Sequence, residues 1–479
     1  MLPSDEQCYR AVQSRDARFD GRFFTGVITT GIYCRPVCPA RTPHATNVTF
    51  YPTAAAAEAA GFRPCLRCRP ETAAGTPAWN GTSTTVTRAL RLIEQGALDE
   101  APLDALAARL GVGERHLRRL FEQHLGASPS AVAQTHRLHL AKQLIDGTAL
   151  PMAQVAFAAG FQSVRRFDAT IRTTYDRTPT QLRQQRRQRN PATLTLRLAY
   201  RPPFGVDALF AFLGTRAIAG IEHVEGHTYR RVVTYGESAG VITLTHWPER
   251  HLFELSLPPP LVPHLRDITR RAQRLLDLHA DPETIDTHLG ADAQLADPVR
   301  QTPGMRLPGA WSPFEVAVRA ILGQQVSVAA ASTLTDKLVA TYGTALDTGD
   351  AACHRVFPSP DALAEAPLEA LGLFRQRAGA IRALAAAVLT SDVQFDDTLD
   401  RGVLEAQLLA LPGIGPWTAS YIALRLGYPD AFPSGDLILR RAAAAPGETL
   451  AAKALAQRAE AWQPWRAYAA LHLWTSYTP

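Results

Sequence analysis

Cysteine is scarce and unevenly spread: the 479 residues hold six, at 8, 34, 38, 65, 68 and 353, and the last 411 residues hold only Cys353. A disulfide-stapled secreted fold spreads its cysteines differently, so that class is excluded. No stretch approaches the ~20 uninterrupted apolar residues of a membrane helix. The polar, acidic start Met1 to Cys8 lacks the basic and then apolar order of a secretory leader. A soluble protein, resident in the cytoplasm and without membrane contact, is expected. Lysine is nearly absent, with Lys142, Lys337 and Lys453 the only three.

Charge is uneven too. Residues 1–80 carry 9 cationic and 6 anionic side chains (+3), residues 81–190 carry 16 and 9 (+7), and residues 191–479 carry 25 and 29 (−4). Clustered cations suit a polyphosphate partner, so the first 190 residues read as nucleic-acid-binding. A DNA role for the rest must come from motifs. At ~100 to 200 residues per domain the length implies three or four domains. The small, polar, Pro/Gly-containing Thr72–Ser83 reads as a linker, and the basic run Gln184–Pro191 as a second boundary. The divisions expected are 1–75, 84–186, 192–300 and 301–479.

Between the two boundaries lies a repeat. Leu103–Gly111 aligns with Met152–Gly160 at an offset of 49, and Ser128-Pro129-Ser130 with Thr178-Pro179-Thr180 at an offset of 50. Two helix-turn-helix units are its simplest cause. Their reading helices, Glu114 to His124 and Val164 to Tyr175, would present Arg115, His116, Arg118 and Arg119, then Arg165, Arg166 and Arg172, with Leu117, Leu120, Phe121, Phe167 and Ile171 facing the core. After Pro191, the alternating segments 194–198, 229–235, 240–245 and 252–257 read as a small antiparallel sheet. From Val262 to Tyr477 apolar spacing of three and four predicts an α bundle. The fold class is multidomain α+β: a small zinc-bound domain, an all-α double helix-turn-helix domain, then an α+β module.

Cys34-Arg-Pro-Val-Cys38 and Cys65-Leu-Arg-Cys68 are two short chelating pairs, suited to tetrahedral thiolate coordination of one Zn²⁺ by Cys34, Cys38, Cys65 and Cys68. Thr46–Tyr51 between them can supply a strand. Such a site is either purely structural or reactive. Thr29–Cys38 and Ala60–Cys68 resemble the N-terminal domain of the Ada regulators, over about residues 4–72. That resemblance implies that Cys34 accepts a methyl group from a DNA methylphosphotriester. Methylating one of four thiolates takes the formal charge of the site from −2 to −1, which reduces repulsion from phosphate. Cys8 reads as an inert buried thiol. The pattern Ala-x-x-x-Gly-Phe-x-Ser-x-x-Arg-Phe ending in Thr-Pro resembles the AraC-type regulators over residues 84–183.

In the last module, Leu411-Pro-Gly-Ile-Gly-Pro-Trp-Thr-Ala419 places Gly413 and Gly415 in a hairpin whose backbone N–H groups can seat a phosphate. With Phe432-Pro-Ser-Gly-Asp436 downstream, and Ile321–Ser327 upstream, the chain resembles the helix-hairpin-helix DNA glycosylases. Across about 193–477 it resembles DNA-3-methyladenine glycosylase II, the AlkA type. The resemblance implies Asp436 as the catalytic aspartate, Trp417, Tyr421, Trp474 and Phe212 as the pocket stacking on the flipped base, and a monofunctional glycosylase. Trp417 stands where lyases carry their Schiff-base lysine. Gln325 occupies the place of a leucine wedge, and Gly435 and Leu437 flank the aspartate in place of the residues of the best-known member. Cys353-His-Arg-Val356 echoes an alkyltransferase motif but lacks its preceding proline, and is read as a decoy.

The function expected is repair of and response to DNA alkylation, with release of bases such as 3-methyladenine, methyl transfer to Cys34 and transcriptional activation. The alternative is a regulator whose glycosylase-like module only binds lesions. Zn²⁺ is the one cofactor expected. The partners are double-stranded DNA, alkylated or operator, and RNA polymerase, and the protein is expected to be a monomer.

Overall fold

The computed structural model describes residues 2–73, 84–184, 194–396, 399–445 and 447–477. The expected boundaries at 75, 186 and 192, and most of Thr72–Ser83 and Gln184–Pro191, lie outside the described residues. The chain forms two compact units. The first comprises Met1–Pro202, His246–Arg270 and Leu278–Ala280, and the second Pro203–Thr245, Arg271–Asp277 and Asp281–Pro479.

The first unit opens on the helix Asp5–Ser14, started by a reciprocal capping box between Ser4 and Gln7. A four-stranded sheet follows in the spatial order Val48–Tyr51, Phe24–Val27, Ile32–Cys34, Arg63–Pro64. Its first two pairings are antiparallel and the last is parallel. The strand expected within Thr46–Tyr51 is thus present. Ile32–Cys34 and Arg63–Pro64 run side by side and end at Cys34 and just before Cys65, so the parallel pairing gathers the two cysteine pairs at one end of the sheet.

The two helix-turn-helix units are Leu103–Arg109 with Glu114–Leu125, and Met152–Ala158 with Val164–Tyr175. Gly111 (φ +68°) and Gly160 (φ +87°) make the turns, in backbone conformations that only glycine adopts freely. Leu117, Phe121, Phe167 and Ile171 are fully buried, as the 3.6-residue period demands, whereas Leu120 is half-buried. Between the units runs the helix Pro129–Gly147, capped by Ser128, with Pro129 in its first turn where a missing N–H costs nothing. It buries residues around its circumference, including the polar Thr135 and Lys142, and buried polar groups need partners. Thr135 donates to Glu58 (2.6 Å), which also accepts from Tyr33 (2.8 Å), while Lys142 and Arg69 both donate to Asp146 (2.6 Å each). Those bonds tie the cysteine-bearing sheet to the centre of the helix-turn-helix region.

A second polar knot sits at the turn of the second reader. Asp99 accepts from Arg137 (3.0 Å) and from Arg266, whose other terminal nitrogen donates to the Ala159 carbonyl (3.0 Å); Gln162 donates to the Asp99 carbonyl (2.9 Å). A Cβ at Gly160 would stand 2.3 Å from an Asp99 oxygen and 2.6 Å from an Arg266 nitrogen, so a side chain there, besides straining φ, would displace the ends of this ion pair. Also in this unit, Leu194–Ala199 pairs antiparallel with Leu252–Leu257, each alternating buried and half-buried residues. The Thr195 carbonyl lies 2.9 Å from where a Cβ of Gly147 would be. This close approach places the strand with the helix-turn-helix helices, and the expected subdomain 192–300 is divided between the two units.

In the second unit a meander of Glu222–Glu225, Thr228–Tyr235 and Ser238–Trp247, the last as far as Thr245, turns at Gly226 and Gly236, both at positive φ. Glu222–Glu225 was absent from the expected strands, since Glu-His-Val-Glu lacks the alternation that marks one. The bundle from Pro282 onward packs around Pro313–Leu322, a helix with eight of its ten residues buried. One of these is Glu315, neutralised by Arg231 (2.8 Å) and Arg319 (3.3 Å); Glu222 is held likewise by Arg231 (3.2 Å) and Arg319 (3.1 Å). Two buried carboxylates and two arginines therefore balance one another.

Candidate catalytic pocket and thiolate site

Asp436 ends the loop Phe432–Asp436 and caps the short helix Leu437–Ala442 by accepting from the Leu439 N–H (3.0 Å). Two indoles complete its shell. Trp417 Nε1 donates to Oδ2 (2.8 Å) and Trp474 Nε1 to Oδ1 (3.0 Å). An indole N–H donates and cannot accept, so both oxygens are fixed as acceptors and the carboxylate plane is set from two sides. Trp417 comes from the helix Pro416–Arg425, directly after the glycine hairpin, and Trp474 from Arg466–Ser476. Tyr421, one turn beyond Trp417, stacks on it at 5.3 Å and 7°, and meets Trp474 edge-on at 6.3 Å.

These groups line a cavity of about 610 Å³, which also takes in Phe212, Met305 and Arg216, a volume within the ordinary range of small-molecule pockets and ample for a flipped base. The four pocket aromatics predicted from the sequence are thus brought together with Asp436. Four arginines of the lining, Arg216, Arg306, Arg319 and Arg425, went unpredicted as pocket residues. Arg216 lies 3.8 Å and Arg425 4.9 Å from the Phe212 ring centre, so that ring is engaged by the protein's own cations. Arg425 is anchored on the Pro308 and Gly309 carbonyls (2.6 and 3.0 Å) and donates to the Tyr421 hydroxyl (3.1 Å). Burial opposes ionisation of Tyr421, yet Arg425, Arg216 and Arg319 together pull its pKa below the ordinary tyrosine value. The one sequence signal for this set is spacing: Arg216 and Arg425 each stand four residues beyond an aromatic of the pocket.

Beside the pocket, Gly413 has φ +81°, and a Cβ there would meet Ala380 at 2.8 Å. Gly415 caps the helix Pro416–Arg425, its Cβ direction open to space. Gln324 braces the hairpin by donating to the Gly413 carbonyl (2.9 Å) and Thr418 (3.0 Å). The next residue, Gln325, is exposed and held in the left-handed region at φ +56°, a strained placement for a non-glycine residue.

In the first unit the Sγ atoms of Cys34, Cys38, Cys65 and Cys68 all lie within 4.8 Å of one another, and none is in a disulfide. That spacing and four soft donors fit one Zn²⁺. Cys34 and Cys38 are half-buried, Cys65 and Cys68 buried. A cavity of about 520 Å³ opens on Cys34 and is rimmed by Arg41, Arg63, Arg67 and Arg177. Behind it, Arg35 donates its backbone N–H to Cys68 Sγ (3.3 Å) and its side chain to the buried Asp20 (2.8 Å). The two remaining cysteines are of another kind. Burial, aided by Asp5, pushes the Cys8 thiol up to about 12, and burial with Asp350 pushes Cys353 up to about 11; both are fully enclosed.

Of the reading-helix residues, Arg115, His116, Arg118, Arg119, Arg165, Arg166 and Arg172 are all exposed. Three are engaged on their own helix: Arg118 with Glu114 (2.6 Å), and Arg119 with His116 (3.0 Å). No helix among the described residues is long and apolar enough to cross a membrane.

Four family models match the chain in succession: the metal binding domain of Ada over residues 7–71, a helix-turn-helix domain over 106–185, the AlkA N-terminal domain over 195–312, and the HhH-GPD superfamily base excision DNA repair protein over 318–466. The DNA-3-methyladenine glycosylase 2 of Escherichia coli K12 is 37% identical over 282 residues, 58% of this chain and 95% of that protein. A 3-methyladenine DNA glycosylase structure from Archaeoglobus fulgidus shares the fold over 58% of this chain and 96% of its own, with 22% identity and a TM-score of 0.50. A Mycobacterium tuberculosis protein named "Probable bifunctional transcriptional activator/DNA repair enzyme AlkA" is 45% identical over 98% of this chain and 96% of its own. An identity of that order along nearly the full length of both proteins places the chain in the family of AlkA-type bifunctional transcriptional activator/DNA repair enzymes.

Proposed function

We propose that Asp436 carries the glycosylase activity, releasing alkylated purines such as 3-methyladenine, and that Cys34 is the acceptor of methyl groups from DNA methylphosphotriesters. The observation that carries the first assignment is the Asp436 carboxylate, fixed by two indole N–H groups at the wall of an aromatic cavity large enough to admit a flipped base. As the glycosidic bond breaks, positive charge builds on the sugar, and a preorganised carboxylate stabilises it without reorganising. The flipped base stacks among Trp417, Tyr421 and Trp474, while Gly413 and Gly415 offer backbone N–H groups to a phosphate and Gln325 fills the vacated stack. Trp417 stands where a Schiff-base lysine would, so the reaction ends at hydrolysis.

At the other site, bound Zn²⁺ keeps thiolates deprotonated at neutral pH. The Cys34 sulfur attacks the methyl carbon, the methyl C–O bond breaks, and an ordinary phosphodiester anion leaves; the thioether is permanent. The half-buried position of Cys34 on a basic cavity supports its choice over Cys65 and Cys68. Arg115, Arg165, Arg166 and Arg172 contact operator DNA, and the same protein, a cytoplasmic monomer, engages RNA polymerase at the promoter. As stretches of sequence the modules are those of 1–75, 84–186, 192–300 and 301–479, although 192–300 is shared between the two compact units. Incubation with methylated duplex DNA, following free base and protein methylation together, tests both assignments. A binding-only module would release no base.

A further inference from the structure

The pocket holds a cation that the reaction does not require. Arg216 follows the helix Val206–Gly214 and lines the cavity. Its Nη1 donates to the Phe212 carbonyl (3.4 Å) and to Thr215 Oγ1 (3.1 Å), and among the described residues no carboxylate lies within 4.0 Å of its guanidinium. The nearby glutamates, Glu222 and Glu315, are committed to Arg231 and Arg319. Arg319 also donates to the Arg216 carbonyl, so the backbone beneath the guanidinium is pinned by the balanced buried network. The side chain itself sits over the Phe212 ring, its guanidinium carbon 3.8 Å from the ring centre. Burial works against its charge and lowers its pKa from the ordinary arginine value. The Tyr421 hydroxyl is its other neighbour in the pocket. With five N–H donors and Nη1 alone engaged on Phe212 and Thr215, the partly desolvated guanidinium keeps donors to offer an acceptor oxygen on a base that enters.

We propose that Arg216 is a specificity determinant of the base pocket, donating to the exocyclic carbonyl of a 6-oxopurine and so favouring alkylguanines relative to alkyladenines, which present an amino group at that position. This rests on the glycosylase reading of the Asp436 pocket. A positive charge in the pocket also repels a cationic alkylpurine, but it does so for 7-methylguanine and 3-methyladenine alike, so the repulsion cancels in their ratio. What remains in the ratio is the hydrogen bond. An amino group facing the guanidinium is donor against donor, whereas a carbonyl accepts from it.

The test is the release of 7-methylguanine and 3-methyladenine from one dimethyl-sulfate-treated duplex by the full-length protein, under single turnover. Arg216→Met keeps the length and removes the donors. The ratio of 7-methylguanine to 3-methyladenine release should fall by at least about tenfold, the effect of losing one charge-assisted hydrogen bond. Arg216→Gln, which retains amide donors, should recover part of it. A parallel fall of both bases, an unchanged ratio or a rise overturns the proposal. Should Arg216→Met fail to fold, the ratio in Arg216→Gln alone decides, since a merely structural arginine would shift both rates together. Asp436→Asn run alongside separates the two claims. If it removes both bases but the Arg216 variants leave the ratio unmoved, the specificity role fails and the glycosylase reading stands. If Asp436→Asn leaves release intact, the underlying reading has failed instead.

Discussion

Replacing Asp436 by Asn is a less innocent change than matching shapes suggest. The carboxylate accepts three hydrogen bonds, one at Oδ2 from Trp417 and two at Oδ1 from Trp474 and Leu439. A carboxamide has one oxygen. Placed at the Oδ1 position it keeps two of the three donors, and its NH₂ then points at the Trp417 indole N–H, donor against donor. The opposite orientation sacrifices two bonds. The favoured orientation leaves one indole N–H unsatisfied, at about 1–3 kcal/mol of stability. The chemical loss is larger. At a separation of about 4 Å and an effective dielectric of about 20, a full charge pair is worth about 4 kcal/mol. Because the sugar is only partly cationic in the transition state, the rate of base release should fall by about 10² to 10³. Single-turnover release of 3-methyladenine, with duplex affinity and thermal unfolding measured beside it, reads the two effects separately. Trp417→Phe, added to Asp436→Asn, removes the opposing donor and should return part of the lost stability without returning the rate, a coupling that a double-mutant cycle isolates. Wild-type excision by Asp436→Asn would refute the catalytic assignment, and an absence of coupling would refute the hydrogen-bond geometry.

Three further outcomes are expected. Stripping the metal with a chelator should melt the sheet that carries Cys34 while the second unit keeps its structure, because so small a sheet has little core of its own; circular dichroism and metal content check this. After exposure to methylphosphotriester DNA, peptide mass mapping should place the methyl on Cys34, and Cys34→Ser should leave the protein unmethylated; a methyl on Cys38 would reassign the acceptor. His472, buried in the helix that carries Trp474, has its pKa lowered to about 4, chiefly by burial with the Pro298 backbone opposing. A folded pKa below the unfolded one contributes stability that is complete above about pH 6.5 and is lost as pH falls through about 4, some ~3 kcal/mol at most. Asp277 and Asp286, whose burial raises their pKa to about 6, act in the opposite direction, so the effect of His472 is read as a difference: over that window the unfolding temperature of the wild type should fall relative to that of His472→Leu.

What the sequence could and could not disclose follows from the range over which each signal acts. The cysteine pairs were legible because chelating spacing is local, and the reading-helix arginines because the 3.6-residue period that buries Phe121 and Ile171 exposes their neighbours. The alternation of Leu194–Ala199 and Leu252–Leu257 gave away both strands. By contrast, the hydrogen bonds to Asp436 come from tryptophans 19 and 38 residues away, and an aromatic in sequence shows its ring but not the direction of its N–H. Arg216 was hidden for a related reason, since a cation that stacks on Phe212 has the same pattern as one that faces water. Nor does any local pattern show that Arg266 of the expected glycosylase sheet region reaches the turn of the second reader.

That last contact bears on heredity and on dissection. Arg266 lies within the stretch matched to the AlkA N-terminal domain, yet its partners are Asp99 and the Ala159 carbonyl beside the turn glycine. A missense change at 266 would then surface genetically as a regulator defect, in a codon that belongs to the repair enzyme. A fragment cut at the end of the helix-turn-helix repeat would also lack this arginine and the strand lying on Gly147, so its operator reading would not represent that of the intact chain. In this fusion the gene's most obvious seam is not where its parts come apart.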